Sequence, residues 1–188
     1  MPRKVGRKAY MKKRLNIILT GFMATGKTTV GKLLAEEFGY EFVDTDKLIE
    51  NRTGRSVAQI FSQQGEAAFR RLEADLAGEL ARRQGLVIAT GGRLMLDPEN
   101  AAALSASGQV FCLVATPEEI LERVERDPHV RRPLLEVPNL IERIVELLQE
   151  RQAGYSCFSQ MVTSGKSPEE VASTLARLYR ESLDDLDD

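Results

Sequence analysis

A glycine-rich loop near the start of the chain, residues 21–28, carries the residues best able to do chemistry. Its sequence, GFMATGKT, matches the pattern G-x-x-x-x-G-K-[ST] and lies between an apolar run and a helical pattern. In that setting backbone N–H groups and the start of a helix surround a phosphate, and a plain glycine turn is the weaker alternative. We therefore predict a nucleoside triphosphate site formed by Gly21, Ala24, Thr25, Gly26, Lys27, Thr28 and Thr29.

The rest of the sequence narrows the class of P-loop protein. It contains no N-K-x-D motif of the GTPase type, and no later apolar run ends in Asp-Glu as in motor-type ATPases. A segment rich in proline and arginine predicts a lid at about residues 126–138 that closes over the nucleotide and excludes water. Arg131 and Arg132 in this segment would supply positive charge to the transferred phosphoryl group, or would lie in a solvated loop. His129 has no carboxylate partner in view and is treated as a bystander.

Two carboxylates, Asp44 and Asp46, follow a short apolar run, and we expect them at the end of a strand. Residues two apart in a strand share a face, so both would point into one site. One carboxylate could hold Mg²⁺ through water, and the other could accept a proton from the hydroxyl that is phosphorylated. The structural alternative is that Asp46 caps a helix beginning at KLIEN.

Arginine is well suited to hold a carboxylate ligand, because its planar guanidinium forms paired hydrogen bonds. Arg70 lies three residues before Glu73 in a helical pattern, so the two would form an ion pair that aims the guanidinium. An ordinary surface ion pair explains the same spacing. Arg151 has no stronger support from its own neighbours.

Short apolar runs alternate with longer helical patterns along the chain, which predicts an α/β fold with a mostly parallel sheet. In such sheets ligands bind at the carboxyl ends of the strands. The predicted strands cover residues 15–20, 41–46, 85–92, 108–116 and 159–164. The predicted helices cover residues 28–39, 56–83 with a break near Gly65, 98–108, 117–126, 139–155 and 167–183. We predict a single kinase domain at 15–181, after a disordered basic extension at 1–14 and before an acidic tail at 182–188.

The composition argues against several classes of protein. The 188 residues are 43% hydrophobic and 29% charged with a net charge of -2, which gives no general attraction to nucleic acid or membranes. No apolar run is long enough to span a bilayer. With 2 Cys and 1 His the chain has too few ligands in a metal spacing for a structural zinc site, and so few cysteines fit a reducing compartment. The cytoplasm is therefore the default compartment. We also expect a monomer that binds a small-molecule substrate. The basic start could be a nucleic-acid or membrane arm, or a frayed terminus ahead of a true start at Met11.

Several segments, in the right order over about residues 16–178, together resemble the shikimate kinase family. The most specific segment is FVDTDKLIENRTGRSVAQIFSQQGEAAFRRLE, which carries the family's D-T-D, G-E and F-R-x-x-E elements. In addition, GFMATGKTTVGKLLA resembles the family's P-loop, VIATGG its glycine strand end, RRPLL its lid, and LLQERQAGY its late Arg–Tyr element.

This resemblance implies a three-layer α/β/α P-loop kinase fold, similar to nucleoside monophosphate kinases, with a parallel five-stranded sheet. It also implies that ATP phosphorylates the 3-hydroxyl of shikimate in aromatic amino-acid biosynthesis. Lys27 would bind phosphate and Thr28 would bind Mg²⁺. Asp44 would lie in the outer shell of the metal, and Asp46 would hold the substrate hydroxyls and act as a base. The resemblance also implies a substrate-binding segment at about residues 44–76. Arg70 and Arg151 would bind the carboxylate of shikimate, and Gly91 and Gly92 would donate backbone N–H groups to the substrate. Arg132 would be the lid arginine that contacts the nucleotide.

Two features depart from the family pattern. The family has a third glycine where this chain has Arg93, and QAGYSCFSQ lacks a proline before its Tyr and an acid after it. Arg93 could point to solvent, or it could change the acceptor to a hydroxy acid such as gluconate or to a nucleoside monophosphate. A non-enzymatic ATP-sensing module that docks through the basic extension is a further alternative, which the intact Lys27 and Thr28 disfavour.

Overall fold

The computed structural model describes residues 14–126 and 137–184, which form five strands and eight α-helices. The strands are β1 (Asn16–Gly21), β2 (Glu41–Asp44), β3 (Leu86–Ala89), β4 (Gly108–Val114) and β5 (Ser159–Val162). The helices are α1 (Lys27–Phe38), α2 (Thr45–Thr53), α3 (Val57–Gln64), α4 (Glu66–Leu80), α5 (Pro98–Ser105), α6 (Pro117–Arg126), α7 (Leu140–Tyr155) and α8 (Pro168–Asp184). A single 3₁₀ turn at Leu94–Leu96 precedes α5.

The strands form one parallel sheet in the order β2-β3-β1-β4-β5. The inner strands are short apolar runs without alternation, as expected where helices cover both faces of a sheet. In β1, Ile17 and Leu19 pack with α1 and α8 on one face, and Ile18 packs with α4 on the other. This is the three-layer α/β/α arrangement with a parallel five-stranded sheet, so the predicted fold is confirmed.

The carboxyl ends of three neighbouring strands meet at one edge of the sheet, and the candidate site residues follow them. Strand β1 pairs with β3 on one side and with β4 on the other, so the strand order reverses direction at β1. At this edge β1 runs into the P-loop, β2 ends at Asp44, and β3 runs into the glycine turn at Gly91. The topology therefore brings these segments together where open parallel sheets bind ligands.

Two of the differences from the predicted boundaries bear on the site and on the predicted tail. The predicted strand 41–46 ends at Asp44, because helix α2 begins at the next residue. Helix α2 lacks an apolar stripe, with Thr45 and Ile49 as its buried residues, so hydrophobic periodicity does not reveal it. Helix α8 reaches Asp184 and so extends into the predicted acidic tail. Nearly all of the predicted lid and of the basic extension lies outside the described residues.

Candidate active site

The P-loop joins β1 to α1 and holds a backbone conformation that most residues avoid. Gly21, Ala24 and Gly26 have positive φ angles of 126°, 59° and 99°. Glycine adopts such angles readily, whereas the left-handed conformation of Ala24 costs about 1–2 kcal/mol. Buried Thr25 donates from Oγ1 to the carbonyl of Phe22 at 2.8 Å, which helps to keep the loop curled. A curled loop that leads directly into a helix N-terminus is suited to bind a phosphate.

Lys27, the P-loop lysine, is folded back onto its own loop. Its Nζ donates to the carbonyls of Gly21 and Phe22 at 2.9 and 2.6 Å. Burial lowers the pKa of Lys27 to about 8, and the nearby charges of Asp46 and Asp44 partly oppose that shift. Phosphate oxygens bind an ammonium more strongly than neutral carbonyls do, so a polyphosphate ligand could replace these internal partners.

Asp44 ends β2 and connects the P-loop to α2. Its Oδ2 accepts a hydrogen bond from Thr28 Oγ1 at 3.1 Å, and its Oδ1 accepts one from the N–H of Lys47 at 3.2 Å. Asp44 is therefore the N-cap of α2. The sequence prediction was wrong in placing both carboxylates on one strand face and in taking Asp46 as the possible cap. The reason is that β2 ends at Asp44 and α2 begins at Thr45, so Asp46 lies within the helix.

Asp46 lies in the first turn of α2 and nevertheless shares a site with Asp44. Burial, with a smaller contribution from the charge of Asp44, raises the pKa of Asp46 to about 6, and Lys27 opposes this shift. Its Oδ1 is buried and has no hydrogen-bond partner among the described residues. An orphaned buried oxygen is unfavourable in isolation, so Asp46 is suited to accept a hydrogen bond or a proton from a ligand.

The glycine turn after β3 packs its backbone directly against this carboxylate. A Cβ at Gly91 would overlap Asp46 Oδ1 and would lie 3.1 Å from Glu73 Oε1. The N–H of Gly91 donates to Oγ1 of buried Thr45 at 2.8 Å. The family resemblance implies that this N–H serves the substrate, but here it donates within the protein. The absence of a side chain at Gly91 lets the turn pack closely against the two carboxylates.

Arg70 in α4 is held between two carboxylates. Its Nη1 donates to Glu73 Oε2 at 2.5 Å, and its Nε and Nη2 donate to Glu66 Oε1 at 3.1 and 3.0 Å. Glu73 is buried, and burial raises the pKa of its carboxyl while Arg70 opposes that shift. The Arg70–Glu73 pair expected from the spacing is present, and it extends to Glu66 and onward to Arg93. We call Glu66, Arg70, Glu73 and Arg93 the acid-side network.

Arg93 occupies the position of the family's third glycine without backbone strain. Its φ of −120° and ψ of −5° are accessible to any residue, so this turn does not require glycine there. Its Nη1 lies 3.5 Å from Glu66 Oε1, and its side chain is 52% exposed. Arg93 thus contacts the carboxylate that also holds Arg70, at the rim of the site.

Arg151 in α7 approaches the glycine turn from the opposite side. It is buried, with 6% of its surface exposed, and its guanidinium lies 5.2 Å from the centroid of the Phe22 ring. Its Nη1 would lie 3.3 Å from a Cβ at Gly92. Tyr155, four residues further along the same helix, donates from its hydroxyl to the carbonyl of Gly92. Helix α7 therefore brings a second arginine to the turn.

Most of the predicted site residues thus meet at one edge of the sheet. Thr29 lies in the first turn of α1 and is exposed, and its contact with the nucleotide stays a prediction. Arg132 lies outside the described residues and also stays a prediction. Sequence reasoning missed Thr45 and Tyr155. The spacing of Tyr155, four residues after Arg151 on one helix face, was the available signal for it, whereas nothing in the sequence singled out Thr45.

Oxygen atoms beside the P-loop have the chemistry that Mg²⁺ prefers. In the described ranges no group of three or more His, Cys, Asp or Glu side chains could hold a metal by itself. The Thr28 hydroxyl and the Asp44 carboxylate, 3.1 Å apart, offer hard oxygen donors. Mg²⁺ commonly keeps several waters and shares substrate phosphates, so this small donor set fits it.

Comparisons with known proteins point to one family. The family model for shikimate kinase matches residues 23–180. A shikimate kinase of Thermodesulfovibrio yellowstonii is 44% identical over 165 residues, which are 87% of this chain and 94% of that protein. The solved shikimate kinase from Acinetobacter baumannii in complex with shikimate has a TM-score of 0.84 and 36% identity, covering 91% of this chain and 96% of that one.

A likeness to another class of kinase is weaker. A gluconokinase from Sinorhizobium meliloti has a TM-score of 0.57 and 18% identity, which indicates a shared fold and no more. In contrast, the shikimate kinase family model matches residues 23–180, which are most of the described residues. The resemblance seen in the sequence is confirmed, and the chain belongs to the shikimate kinase family.

Proposed function

We propose that this protein transfers the γ-phosphoryl group of ATP to the 3-hydroxyl of shikimate. The observation that carries the proposal is the buried Oδ1 of Asp46, which has no partner in the described part of the chain. This oxygen lies between the P-loop lysine, which suits a polyphosphate, and the acid-side network, which holds an arginine suited to a carboxylate. A hydroxy acid fits this order of groups because it carries both a nucleophilic hydroxyl and an anionic end.

The acceptor's carboxylate is proposed to bind between Arg70 and Arg151. Arg70 is oriented by Glu66 and Glu73, so its guanidinium has little freedom left to lose on binding. Arg151 is buried against an aromatic ring and Tyr155, and none of the ion pairs among the described residues involves it. A buried cation without a carboxylate is strongly stabilised when a ligand supplies one.

The proposed transfer needs positioned charges rather than covalent help from the protein. The acceptor's hydroxyl oxygen forms a bond to the γ-phosphorus as the bond between that phosphorus and the β–γ bridging oxygen breaks, which releases ADP. Asp46 takes the hydroxyl proton, and a pKa of about 6 leaves it ionised at neutral pH for that purpose. Lys27 remains protonated below its pKa of about 8 and stabilises negative charge on the phosphates.

Thr28 is proposed to be the protein's direct ligand to Mg²⁺, with Asp44 in the outer shell through water. The hydrogen bond from Thr28 Oγ1 to Asp44 fixes both oxygens next to the P-loop. When bound, Mg²⁺ would neutralise charge on the phosphate oxygens. The two residues themselves orient the donor set and keep a carboxylate near the phosphates without direct contact.

We also propose that the enzyme acts as a cytoplasmic monomer. All of the site residues described above come from one chain, so a second copy is not needed to complete the site. Cys112 and Cys157 are free thiols, which fits a reducing compartment. Among the described helices, none combines the length and the apolar character needed to cross a bilayer. Specific activity that is constant over a wide range of enzyme concentration would support the monomer.

The test is an acceptor panel with purified protein, ATP and Mg²⁺, in which ADP release and phosphorylated product are both measured. Shikimate is expected to yield equal amounts of ADP and a phosphate monoester at its 3-hydroxyl, identified by ³¹P NMR. The proposal fails if shikimate gives no ADP above the rate without acceptor while gluconate or a nucleoside monophosphate does.

A matched pair of variants ties the activity to this site. Asp46→Asn should remove most of the shikimate-dependent ADP release. Asp75→Asn changes an exposed aspartate of α4 and should leave the rate as in the wild type. Equal rates in the two variants would place the chemistry elsewhere.

A further inference from the structure

Gly154 lies inside helix α7, between the two residues of that helix that reach the glycine turn. Arg151 precedes it by three positions, and Tyr155 follows it directly. Gly154 is not among the described glycines with a positive φ, so its backbone conformation does not require glycine. Glycine inside a helix is less favourable than alanine, so any benefit at this position comes from the missing side chain.

Leu96 fills the space beside Gly154. A Cβ at Gly154 would lie 2.5 Å from Leu96 Cδ2, which is closer than two carbon atoms can pack, and 3.7 Å from Leu96 Cγ. Leu96 ends the 3₁₀ turn that follows the glycine turn, and it packs against the apolar cluster that contains Tyr155 and Phe22. The last turn of α7 therefore packs onto the 3₁₀ turn at a distance that a side chain at Gly154 would not allow.

The 3₁₀ turn is the fixed partner in this contact. Leu94 is fully buried in the core cluster that includes α4, and its carbonyl accepts a hydrogen bond from Asn100 Nδ2 at 3.3 Å. The N–H of Leu94 donates to the carbonyl of Gly91 at 3.1 Å, and the N–H of Leu96 donates to the carbonyl of Arg93 at 2.9 Å. Backbone hydrogen bonds thus join Leu96 to the glycine turn, and the core holds both.

The end of α7 is the part that yields if this contact is crowded. Ser156 and Cys157, which follow the helix, are exposed and so are not held by the core. A side chain added at Gly154 would press on a fixed turn, and overpacking of this kind forces neighbouring backbone to shift. Arg151 and Tyr155 would then move away from the glycine turn together with the helix.

We propose that Gly154 is a positioning residue whose missing side chain sets the distance between Arg151 and the glycine turn, and hence the fit of the acceptor's carboxylate. The inference rests on the proposed function in taking a hydroxy acid as the acceptor that Arg151 holds. A guanidinium binds a carboxylate through paired hydrogen bonds of fixed geometry, and a misplacement of about 1 Å can cost about a hundredfold in rate. ATP is proposed to bind at the P-loop without Arg151, so its binding should not depend on this distance.

The experiment compares Gly154→Ala with the matched control Gly78→Ala. Gly78 is also a partly buried glycine inside a helix, but a Cβ there meets nothing closer than Arg82 Nη1 at 4.0 Å. We expect Gly154→Ala to raise the KM for shikimate by about fivefold or more, with kcat and the KM for ATP within about twofold of the wild type. Gly78→Ala should keep all three values. A wild-type KM for shikimate in Gly154→Ala would overturn the proposal.

Leu96→Ala tests whether the contact with Leu96 causes the effect, because it removes the atom that a Cβ at Gly154 meets. In the Leu96→Ala background, Gly154→Ala should change the KM for shikimate by less than about twofold. An undiminished effect in that background would overturn the proposal. If Gly154→Ala alone does not fold, it is assayed together with Leu96→Val, which removes only part of the overlap, and a KM equal to that of Leu96→Val alone would overturn the proposal.

Unfolding in urea gives a readout that needs no acceptor. Gly78→Ala should raise the urea midpoint, because alanine favours the helix and meets no neighbour there. Gly154→Ala should not raise it, because crowding against Leu96 opposes the same gain. A rise as large as that of Gly78→Ala would overturn the proposal.

The wild-type enzyme separates failure of this inference from failure of the proposed function. If the wild type does not phosphorylate shikimate, the proposed function fails, and the KM ratio is measured with the hydroxy acid of the panel that releases ADP. If the wild type phosphorylates shikimate and Gly154→Ala keeps the wild-type KM, this inference alone fails.

Discussion

The two halves of the site are stabilised in opposite ways. On the phosphate side, the P-loop contains a strained alanine, Lys27 is held by neutral carbonyls, and Asp46 has an oxygen without a partner in the described ranges. On the acid side, Arg70 is paired with Glu66 and Glu73. The phosphate side is therefore incomplete until a ligand binds, whereas Arg70 on the acid side is already paired and oriented by the protein.

This difference teaches where function and stability conflict. Burial lowers the pKa of Lys27 and raises that of Asp46, and both shifts favour the neutral side chain. Keeping both side chains charged at neutral pH therefore opposes folding. The acid-side network carries charges that compensate one another. Removing a phosphate-side charge should thus abolish activity without harming the fold, and removing an acid-side charge should weaken binding more selectively.

The largest effect is expected for Lys27→Met, which removes the phosphate-side cation. We expect kcat/KM to fall by about a thousandfold, because the charge on the transferred phosphoryl group loses its main positive partner in the P-loop. Stability to urea should be equal to or higher than that of the wild type. Since folding lowers the pKa of Lys27 from 10.5 to about 8, wild-type stability should rise as pH increases between those values, and the variant should lack this rise. An unfolded variant would show that the lysine is structural.

Asp46→Asn is expected to have the next largest effect, with kcat lower by about a hundredfold because the proton acceptor is lost. The sign of its stability effect follows from the raised pKa. Folding raises the pKa of Asp46 from 3.8 to about 6, so the wild type is relatively stabilised below pH 4 and loses that stabilisation as pH rises through 6. The variant should therefore be more stable by about 1–3 kcal/mol at pH 7.5, with the gap closing toward pH 4. A variant less stable at pH 7.5 would contradict the conflict described above.

The pH dependence of kcat/KM gives a test of the same two groups in the unmodified enzyme. We expect a bell-shaped profile that falls below pH 6 as Asp46 is protonated and above pH 8 as Lys27 is deprotonated. The acidic limb should disappear from the residual activity of Asp46→Asn, while the basic limb remains. A profile flat between pH 5 and 9 would mean that neither charge is needed in the free enzyme.

The phosphate side was largely predictable from sequence, because a contiguous motif encodes it. The Asp44–Asp46 pair was predicted in the right place for a wrong reason, since a polar helix without an apolar stripe follows β2 directly. The acid side was less predictable, because Arg70 and Arg151 come from α4 and α7. Only the folded chain shows that Arg151 and Glu73, the partner of Arg70, both lie beside the glycine turn. For these two arginines, resemblance to a family supplied what spacing alone could not.

Contacts between backbone and distant side chains were the least predictable features. The hydroxyl of Thr45 binds an N–H that lies 46 positions away in sequence, and Arg123 in α6 donates to the carbonyl of Ala24 across 99 positions. Such contacts depend on where the ends of strands and helices meet in three dimensions. No local pattern of residue types encodes them, so periodicity and motif spacing cannot reveal them.

On the acid side, Arg70→Lys is expected to raise the KM for shikimate by about tenfold and to leave the KM for ATP within about twofold. An ammonium cannot contact Glu66, Glu73 and a ligand carboxylate with the geometry of a planar guanidinium. Arg71→Lys, at an exposed neighbour on α4, serves as the control and should behave as the wild type. An unchanged KM for shikimate in Arg70→Lys would remove this arginine from the site.

The smallest effect is expected for Arg93→Gly, which restores the family's third glycine. Arg93 joins the acid-side network through Glu66, 3.5 Å from its exposed guanidinium, and such surface pairs contribute about 0.2–1 kcal/mol. The KM for shikimate should therefore change by less than about fivefold, and the ranking of acceptors in the panel should not change. Glu66→Gln should have the larger effect, because that carboxylate holds Arg70 as well.

Arg93→Gly, combined with Glu66→Gln, decides between the two interpretations of Arg93. If its side chain acts only through Glu66, Arg93→Gly should have no additional effect in a Glu66→Gln background, because the shared contact is already gone. A residue that selects the acceptor directly would keep its effect in that background. It would also shift the panel toward or away from gluconate when replaced by glycine. The double variant therefore tests whether the acid side is organised through its carboxylates, as its ion pairs indicate, or through direct contact between Arg93 and the acceptor.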